Sequence, residues 1–514
     1  MDNREYIIGI DIGSSSVVMA VGLRNEGGEM SVLGVDVQSI EDCVKDGDIT
    51  NYIGLGNAIA KAKSALESEL GLRLNSAYVG ISGRSVYCVR YEDYVDINEK
   101  TGCVSENELR ELTARIEMVT SGGADEIVER IPLRYTIDDH QHVQNPLGYF
   151  GSKLSATYLF VLVGKHQIDR VNRALYRAEI KVCGLCVNPT LLPELLLTPD
   201  EKEEGVAIVD IGSDLTDISI VRDGKLWYFS SLPIGASSIN NDLHEFLKIS
   251  KKDIDSLKRR FGSAIAANVP DATTIPVKMA GHAKKQILQR NIAEIAEERL
   301  KDIAGFVARE LKAAKFSTKI PCGVVLTGGS AYLSNIDQLF ARELNVEVRF
   351  GSMMNGLDDE SQMKVIAFPQ SVVMGLLCYG AKHNACETMR EMLPSMNVNV
   401  GDATKTTPEV KPVDIFTSVE KVVPVIKPTA PQTLEEVTTS KPTSTPIIEE
   451  PVRGNEVEQP IQEELKEVPE ESKTTEETTV NNTTTTQPKE SKKRGWLDKF
   501  REWLDERFVP DQYI

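Results

Sequence analysis

Unbroken apolar runs interrupted by one glycine-centred turn set the rhythm of this chain. In Ile7 to Gly22, IIGIDIGSSSVVMAVG, an apolar run reaches Asp11, turns at Gly13, passes three serines and resumes. Short continuous runs bounded by a turn predict strand, tight turn, strand. The same pattern returns at Val206 to Val221, VAIVDIGSDLTDISIV. A third turn, in Val324 to Ser330 (VVLTGGS), follows another apolar run over Gly323–Leu326. A lone Asp-x-Gly is an ordinary strand turn. Two such hairpins followed by a Gly-Gly turn predict two similar half-domains closing on a phosphate-bearing ligand.

Between these turns the period changes. Ile53, Leu55, Ile59, Ala60, Ala62 and Leu66 recur at helical spacing, so Tyr52–Leu70 is predicted as a helix that stops at Gly71, before a buried strand at Ala77–Ile81. SVYCVRYEDYVDI, from Ser85, alternates like a half-exposed strand. A helix is expected over Ser105–Val119, opened by Ser105 and Glu108 at capping-box spacing. Ile127–Ile137, a turn-rich NPLGYFGS and a strand at Leu154–Val163 complete a small βαββ insert. A helix over Gln167–Ala178, a strand over Ile180–Val187 and a short helix over Leu191–Leu197 lead into the second hairpin. Past a turn at Leu232–Gly235, helices are predicted over Asn240–Leu247 and Lys252–Phe261. Lys284–Ala314 reads as one long amphipathic helix carrying Ile287, Leu288, Ile292, Ile295, Leu300, Ile303, Phe306, Val307 and Leu311 on its apolar stripe. Ile366–Tyr379 supplies a closing helix.

The candidate chemistry follows from the turns. A phosphate needs backbone N–H donors at close range, which a Cβ would block. Gly13, Gly212, Gly328 and Gly329 give that access, and Ser14, Ser15, Ser16, Ser213, Thr216 and Ser330 offer hydroxyls. Asp11 and Asp210 end their strands facing the same cleft, where a divalent cation bound to phosphates wants carboxylates.

The chain has 514 residues and a formal net charge of −19, which argues against a general nucleic-acid binder. MDNREY lacks the basic and apolar regions of a signal peptide, and no apolar run is long enough to span a bilayer. Of the eight cysteines only Cys183 and Cys186 form a CxxC, without the second pair that zinc would need. Two reduced thiols beside a strand are expected, as in a cytosolic protein.

Composition shifts sharply near the end. Residues 391–490 are Thr/Pro/Glu-rich and hold 12 of the 23 prolines, with 19 acidic and 9 basic residues, a net of −10. Such a segment cannot bury enough apolar surface to offset its ordering entropy and is expected to be disordered. As a flexible coil it would reach roughly 50–60 Å. Then comes SKKRGWLDKFREWLDERFVPDQYI. At helical spacing Trp496, Leu497, Phe500, Trp503, Leu504 and Phe508 share an arc of about 140°. With the flanking basic residues this has the character of an interfacial membrane helix against anionic lipid, the alternative being a helix docked on a protein partner.

The paired hairpins, the late GGS and the order of elements resemble the actin-like ATPases. IPLRYTIDD, NPLGYFGSKL, LLPELLLTPDEKEEGVAIVDIG, IGASSINNDL and IDSLKRRFG, in that order, narrow the resemblance to the FtsA family of bacterial cell-division proteins, over about residues 5–385. The resemblance implies an actin-like, ribonuclease-H-like α/β fold of two domains with a small α+β insert. It assigns 1–84 and 164–205 to the first domain, 85–163 to the insert, 206–365 to the second domain and 366–390 to a closing helix. The disordered linker is then 391–490 and the membrane-targeting helix 491–514. It also implies ATP with Mg2+, self-association into filaments, and recruitment of the tubulin-like FtsZ, through its C-terminal peptide, to the inner face of the cytoplasmic membrane at the septum. Later division proteins would follow.

Carried over by position, Asp11, Gly13, Ser14 and Ser15 match the first phosphate loop, and Asp210, Gly212, Thr216 and Asp217 the second. Gly235 matches, Lys258 lies where relatives reach the adenosine, and Gly328, Gly329 and Ser330 match the adenosine turn. Ser16 stands where the family usually has Lys. Ser213 and Asp214 replace two glycines, Leu215 replaces a Thr, and Ala236 and Asn240 depart from Gly and Thr. A lost cation and an added carboxylate near polyphosphate weaken binding, so a nucleotide switch with slow or absent hydrolysis is expected. Two other readings stay open: a sugar or glycerol kinase of the same superfamily, for which no general base stands out, and a pilus-assembly or plasmid-segregation relative, against which the lipid helix argues.

Overall fold

The computed structural model describes residues 6–383 apart from 26, 99, 280–283, 317–319, 332, 354 and 365–369. The linker expected at 391–490 and the helix carrying Trp496, Leu497, Phe500, Trp503, Leu504 and Phe508 lie outside the described residues.

Two five-stranded sheets repeat one plan. In the first, the order is Lys181–Val187, Ser76–Ile81, Tyr6–Ile12, Ser16–Arg24, Met30–Ser39. In the second it is Val348–Phe350, Val324–Thr327, Val206–Ile211, Thr216–Arg222, Lys225–Leu232. Each is an antiparallel meander begun by a glycine-turn hairpin, extended on its other side by two parallel strands. The hairpin strands are apolar at nearly every position because both faces are covered, as parallel sheets require. In each sheet the hairpin's Asp sits at the end of its strand: Asp11 pairs with Val18, and Asp210 faces Asp217 across the second hairpin.

The helix Tyr52–Leu70 covers the predicted span. The Asn51 side chain caps its start by accepting from Gly54 N at 3.0 Å, and Gly71 ends it in the left-handed conformation, φ 64°. Leu55, Ile59, Ala62 and Leu66 form its buried face. Helix Ser371–His383 returns to the first sheet. Its approach depends on Gly9, where a Cβ would stand 3.0 Å from Leu376 Cβ. Among the described residues no helix is long and apolar enough to cross a membrane.

Between the first-sheet strands Ser76–Ile81 and Lys181–Val187 lies a separate four-stranded sheet in the order Val86–Asp96, Lys153–Gly164, Asp125–Ile137, Gln141–Val143. Helix Glu106–Glu117 packs on one face, burying Leu112 and Ile116 against Ala156, Tyr158 and Phe160. Its N-terminus carries the capping box expected of Ser105 and Glu108. The short strand Gln141–Val143, a hairpin partner of Tyr135–Ile137, adds one strand to the expected βαββ.

One predicted element is corrected. Lys284–Leu288 is a strand paired antiparallel with Thr274–Lys278, and the helix begins only at Gln289, running to Ala313. Ile275, Val277 and Ile287 point inward while their neighbours are exposed, a period of two that a helical stripe absorbs by chance. Leu288, read as part of that stripe, is exposed. A second correction concerns the CxxC: Cys186 is a free buried thiol, whereas Cys183 is disulfide-bonded.

Candidate functional site

Three turns meet at one cleft of about 760 Å³. The first two close alike: Gly13 N donates to Ser16 O at 3.1 Å and Gly212 N to Leu215 O at 2.9 Å. These bonds leave Ser14 and Ser15, and Ser213 and Asp214, at the hairpin tips. The third turn is strapped onto the second hairpin. Ser330 N donates to Ile211 O and Ser330 Oγ to Gly212 O, both at 3.1 Å. Gly328 has φ +93°, and a Cβ there would overlap Asp210 Oδ1 and stand 2.7 Å from Ile211 O. Only glycine lets the strand end and the acid come this close.

Of the residues singled out from sequence, Asp11, Gly13, Ser14, Ser15, Ser16, Asp210, Gly212, Ser213, Lys258, Gly328, Gly329 and Ser330 line this one cleft. Thr216 and Gly235 do not. Thr216 is fully buried and spends its hydroxyl on Ile234 O at 2.8 Å. Gly235 braces the second hairpin from behind. Ala236 N donates to Gly212 O at 3.1 Å and Ser237 N to Ser213 O at 2.8 Å, and a Cβ on Gly235 would run into the Ser213 carbonyl.

The floor of the cleft is acidic. Burial is the main force on all three carboxyls. It raises Asp11 to about 7, with Asp217 adding to the rise and the Asn188 amide opposing it. It raises Asp210 to about 8, helped by the charges of Asp217 and Asp11. It raises Asp217 to about 6, against the pull of the Ser231 and Ser82 hydroxyls. Those serines each donate to Asp217 Oδ1 at 2.6 Å, Ser82 from the first half of the molecule and Ser231 from the second. Asn188 Nδ2 donates to Asp11 Oδ1 at 3.2 Å, and Asn188 Oδ1 is a buried acceptor without a partner.

The lining also carries cations. Lys258 and Arg259 are the two basic residues on the lining. Lys258 Nζ sits 3.1 Å from Asp255 Oδ1 and donates to Ala236 O at 3.3 Å; burial lowers its pKa and Asp255 opposes that. Arg259 Nε holds the other oxygen of Asp255 at 2.8 Å. Asn240 Oδ1 is a second buried acceptor without a partner on this wall.

This arrangement suits a polyphosphate carried with a divalent cation. In such a complex the turn amides and hydroxyls would face the phosphates, and the buried carboxyls would invite a positive charge. Among the described residues no three His, Cys, Asp or Glu side chains converge to ligate an ion directly. The donor set of Asp11 and Asp210 therefore fits Mg2+ held through phosphate oxygens and water, the ion's usual habit.

Sequence reasoning missed Asn188, Asp255 and Ser82 as wall residues. Asn188 carried a usable signal. It follows the strand Lys181–Val187 in an Asn-Pro step, at the carboxyl end of a strand parallel to those around Asp11, and that end is where open α/β sheets bind ligands.

Two family models match the chain: "Cell division protein FtsA" over residues 207–371 and "SHS2 domain inserted in FTSA" over residues 83–162. The second span coincides with most of the four-stranded sheet. The chain is 28% identical over 384 residues to the cell division protein FtsA of Pseudomonas aeruginosa, covering 73% of this chain and 89% of that one. It is 26% identical to that of Bacillus subtilis over 353 residues (68% and 80%) and 25% identical to that of Escherichia coli K12 over 388 residues (74% and 91%). Among solved structures, a chain of the PilM-PilN type IV pilus biogenesis complex shares the fold, with a TM-score of 0.51 at 14% identity, covering 73% of this chain and 98% of that one.

Proposed function

This chain belongs to the FtsA family of actin-like cell-division proteins, and on that premise we propose that it is a membrane-tethered, ATP-binding adaptor that fastens the FtsZ ring to the cytoplasmic membrane. The supporting observation is the cleft: two Asp-x-Gly hairpins and a Gly-Gly turn, from two sheets, converge on one cavity floored by buried acids.

In this reading Gly13, Ser14, Ser15 and Ser16 take the phosphates from one side, and Gly212 and Ser213 from the other. Gly328, Gly329, Ser330 and Lys258 face the nucleoside. Asp11 and Asp210 hold Mg2+, which neutralises the phosphates when bound. Hydrolysis is slow. The basic residues of the wall are committed to Asp255, and Ser16 offers no charge. The free acceptor of Asn188 can orient a water, but an amide cannot take its proton.

The remaining parts follow the family reading. The domain division is that given above, with the second domain, between about 236 and 310, receiving the C-terminal peptide of FtsZ. The terminal helix at 491–514 sits in the membrane interface on its acidic leash, and copies of the chain associate into filaments at the septum, where later division proteins join. Pelleting tests this. Full-length protein with ATP should carry FtsZ down with anionic liposomes, and a chain lacking residues 491–514 should leave FtsZ in the supernatant. FtsZ that stays soluble with the full-length chain, or pellets equally with the shortened one, overturns the adaptor role.

A further inference from the structure

Outside the cleft, a second cluster lies on the seam between the inserted sheet and the second large sheet. Arg90 stands on strand Val86–Asp96 and Arg134 on strand Asp125–Ile137, on either side of Lys153–Gly164. Both guanidiniums reach the same indole, that of Trp227 on the edge strand Lys225–Leu232, at 5.6 and 5.7 Å from the ring centroid. Arg90 also lies 5.7 Å from the ring of Phe316. The indole is pinned, because its Nε1 donates to Arg222 O at 3.0 Å.

The charges do not balance. Two guanidiniums over one ring repel each other: burial is the main force lowering the Arg90 pKa, and the Arg134 charge adds to it. No carboxylate figures among the charges acting on Arg90. Glu92 shares a sheet row with Arg134 through Thr157, yet it forms no ion pair with either arginine. Arg134 Nε is a buried donor with no acceptor, a state that costs about 1–3 kcal/mol when left unsatisfied. Arg90 is exposed and Arg134 half-buried, so solvent-borne ligands can reach both.

A cation–π contact with a fixed aromatic holds each guanidinium near the ring without consuming its N–H donors. Two guanidiniums with no carboxylate paired to them match a planar or tetrahedral oxyanion at their solvent-facing edges. We infer that Arg90 and Arg134, held over Trp227, form an oxyanion site on the insert seam, for a phosphate or for the carboxylate of an acidic polypeptide.

Trp227 is its own reporter. The chain has three tryptophans, so Trp496→Phe with Trp503→Phe leaves Trp227 alone in the full-length protein. Its fluorescence is titrated with sodium phosphate and with poly-L-glutamate, against sodium chloride at matched ionic strength. A saturable change is expected with one or both oxyanions and none with chloride. Arg134→Gln should weaken it by at least about tenfold. Arg134→Lys, which keeps the charge and loses the fork, should also weaken it. A response to phosphate alone identifies a phosphate site, and a response to poly-L-glutamate alone identifies an acidic polypeptide. No saturable response to either, or a response unchanged in Arg134→Gln, overturns the site.

Discussion

Asp210→Asn should make the nucleotide-free protein more stable and the nucleotide-bound protein less so. Burial, with Asp217 and Asp11 close by, raises the Asp210 carboxyl from 3.8 to about 8. A carboxyl raised on folding contributes most to stability below its unfolded pKa, and that contribution is lost as pH climbs from 3.8 towards 8. By linkage the loss is about 5 kcal/mol at pH 7.5 and about 2 kcal/mol at pH 5. Asp210 is not wholly sealed from the cleft and its neighbours relax when it is neutral, so about 2–4 kcal/mol at pH 7.5 is the figure to expect. At about 2–4 °C per kcal/mol, Asn should raise the melting temperature by roughly 4–16 °C at pH 7.5 and far less at pH 5. Wild type should then gain from Mg-ATP, by about 4 kcal/mol at a thousandfold excess over Kd, while the variant gains little. Thermal melts at both pH values, with and without Mg-ATP, read all four states. A variant melting at or below wild type at pH 7.5 without nucleotide would refute the reasoning, as would a difference that fails to shrink at pH 5.

Two further outcomes follow from named contacts. Gly328→Ala places a Cβ on Asp210 Oδ1 at φ +93°; with left-handed strain of about 1–2 kcal/mol before the overlap is counted, it should lower the melting temperature and weaken ATP binding at least tenfold by calorimetry. Trp496→Glu with Trp503→Glu should leave the melting curve unchanged and abolish cosedimentation with anionic liposomes; undiminished pelleting would remove the membrane role of the terminal segment.

The sheets' central hairpins were legible because burial on both faces writes continuous apolar runs, as in Val206–Ile211, and a turn that admits only a small residue marks their ends. Tyr52–Leu70 was legible for the complementary reason: one buried stripe with a glycine stop. Thr274–Leu288 was not. Its short hairpin buries single residues at period two beside a long helix whose stripe continues the count. At the site, the acids and glycines could be found because their chemistry is local to each turn. Asp255 reaches the cleft through tertiary packing alone, and Thr216 matched a motif whose hydroxyl the fold uses internally. The Arg90–Trp227–Arg134 cluster joins strands far apart in sequence, so no local pattern announced it.

The central claim is that the three turns and their buried acids grip a nucleotide through a divalent cation. Isothermal titration of the full-length protein with ATP, with and without Mg2+, tests it most directly. One ATP per chain, bound saturably with Mg2+ and lost when EDTA is added, is the expected result. Heat traces indistinguishable from buffer in the presence of Mg2+ would contradict it.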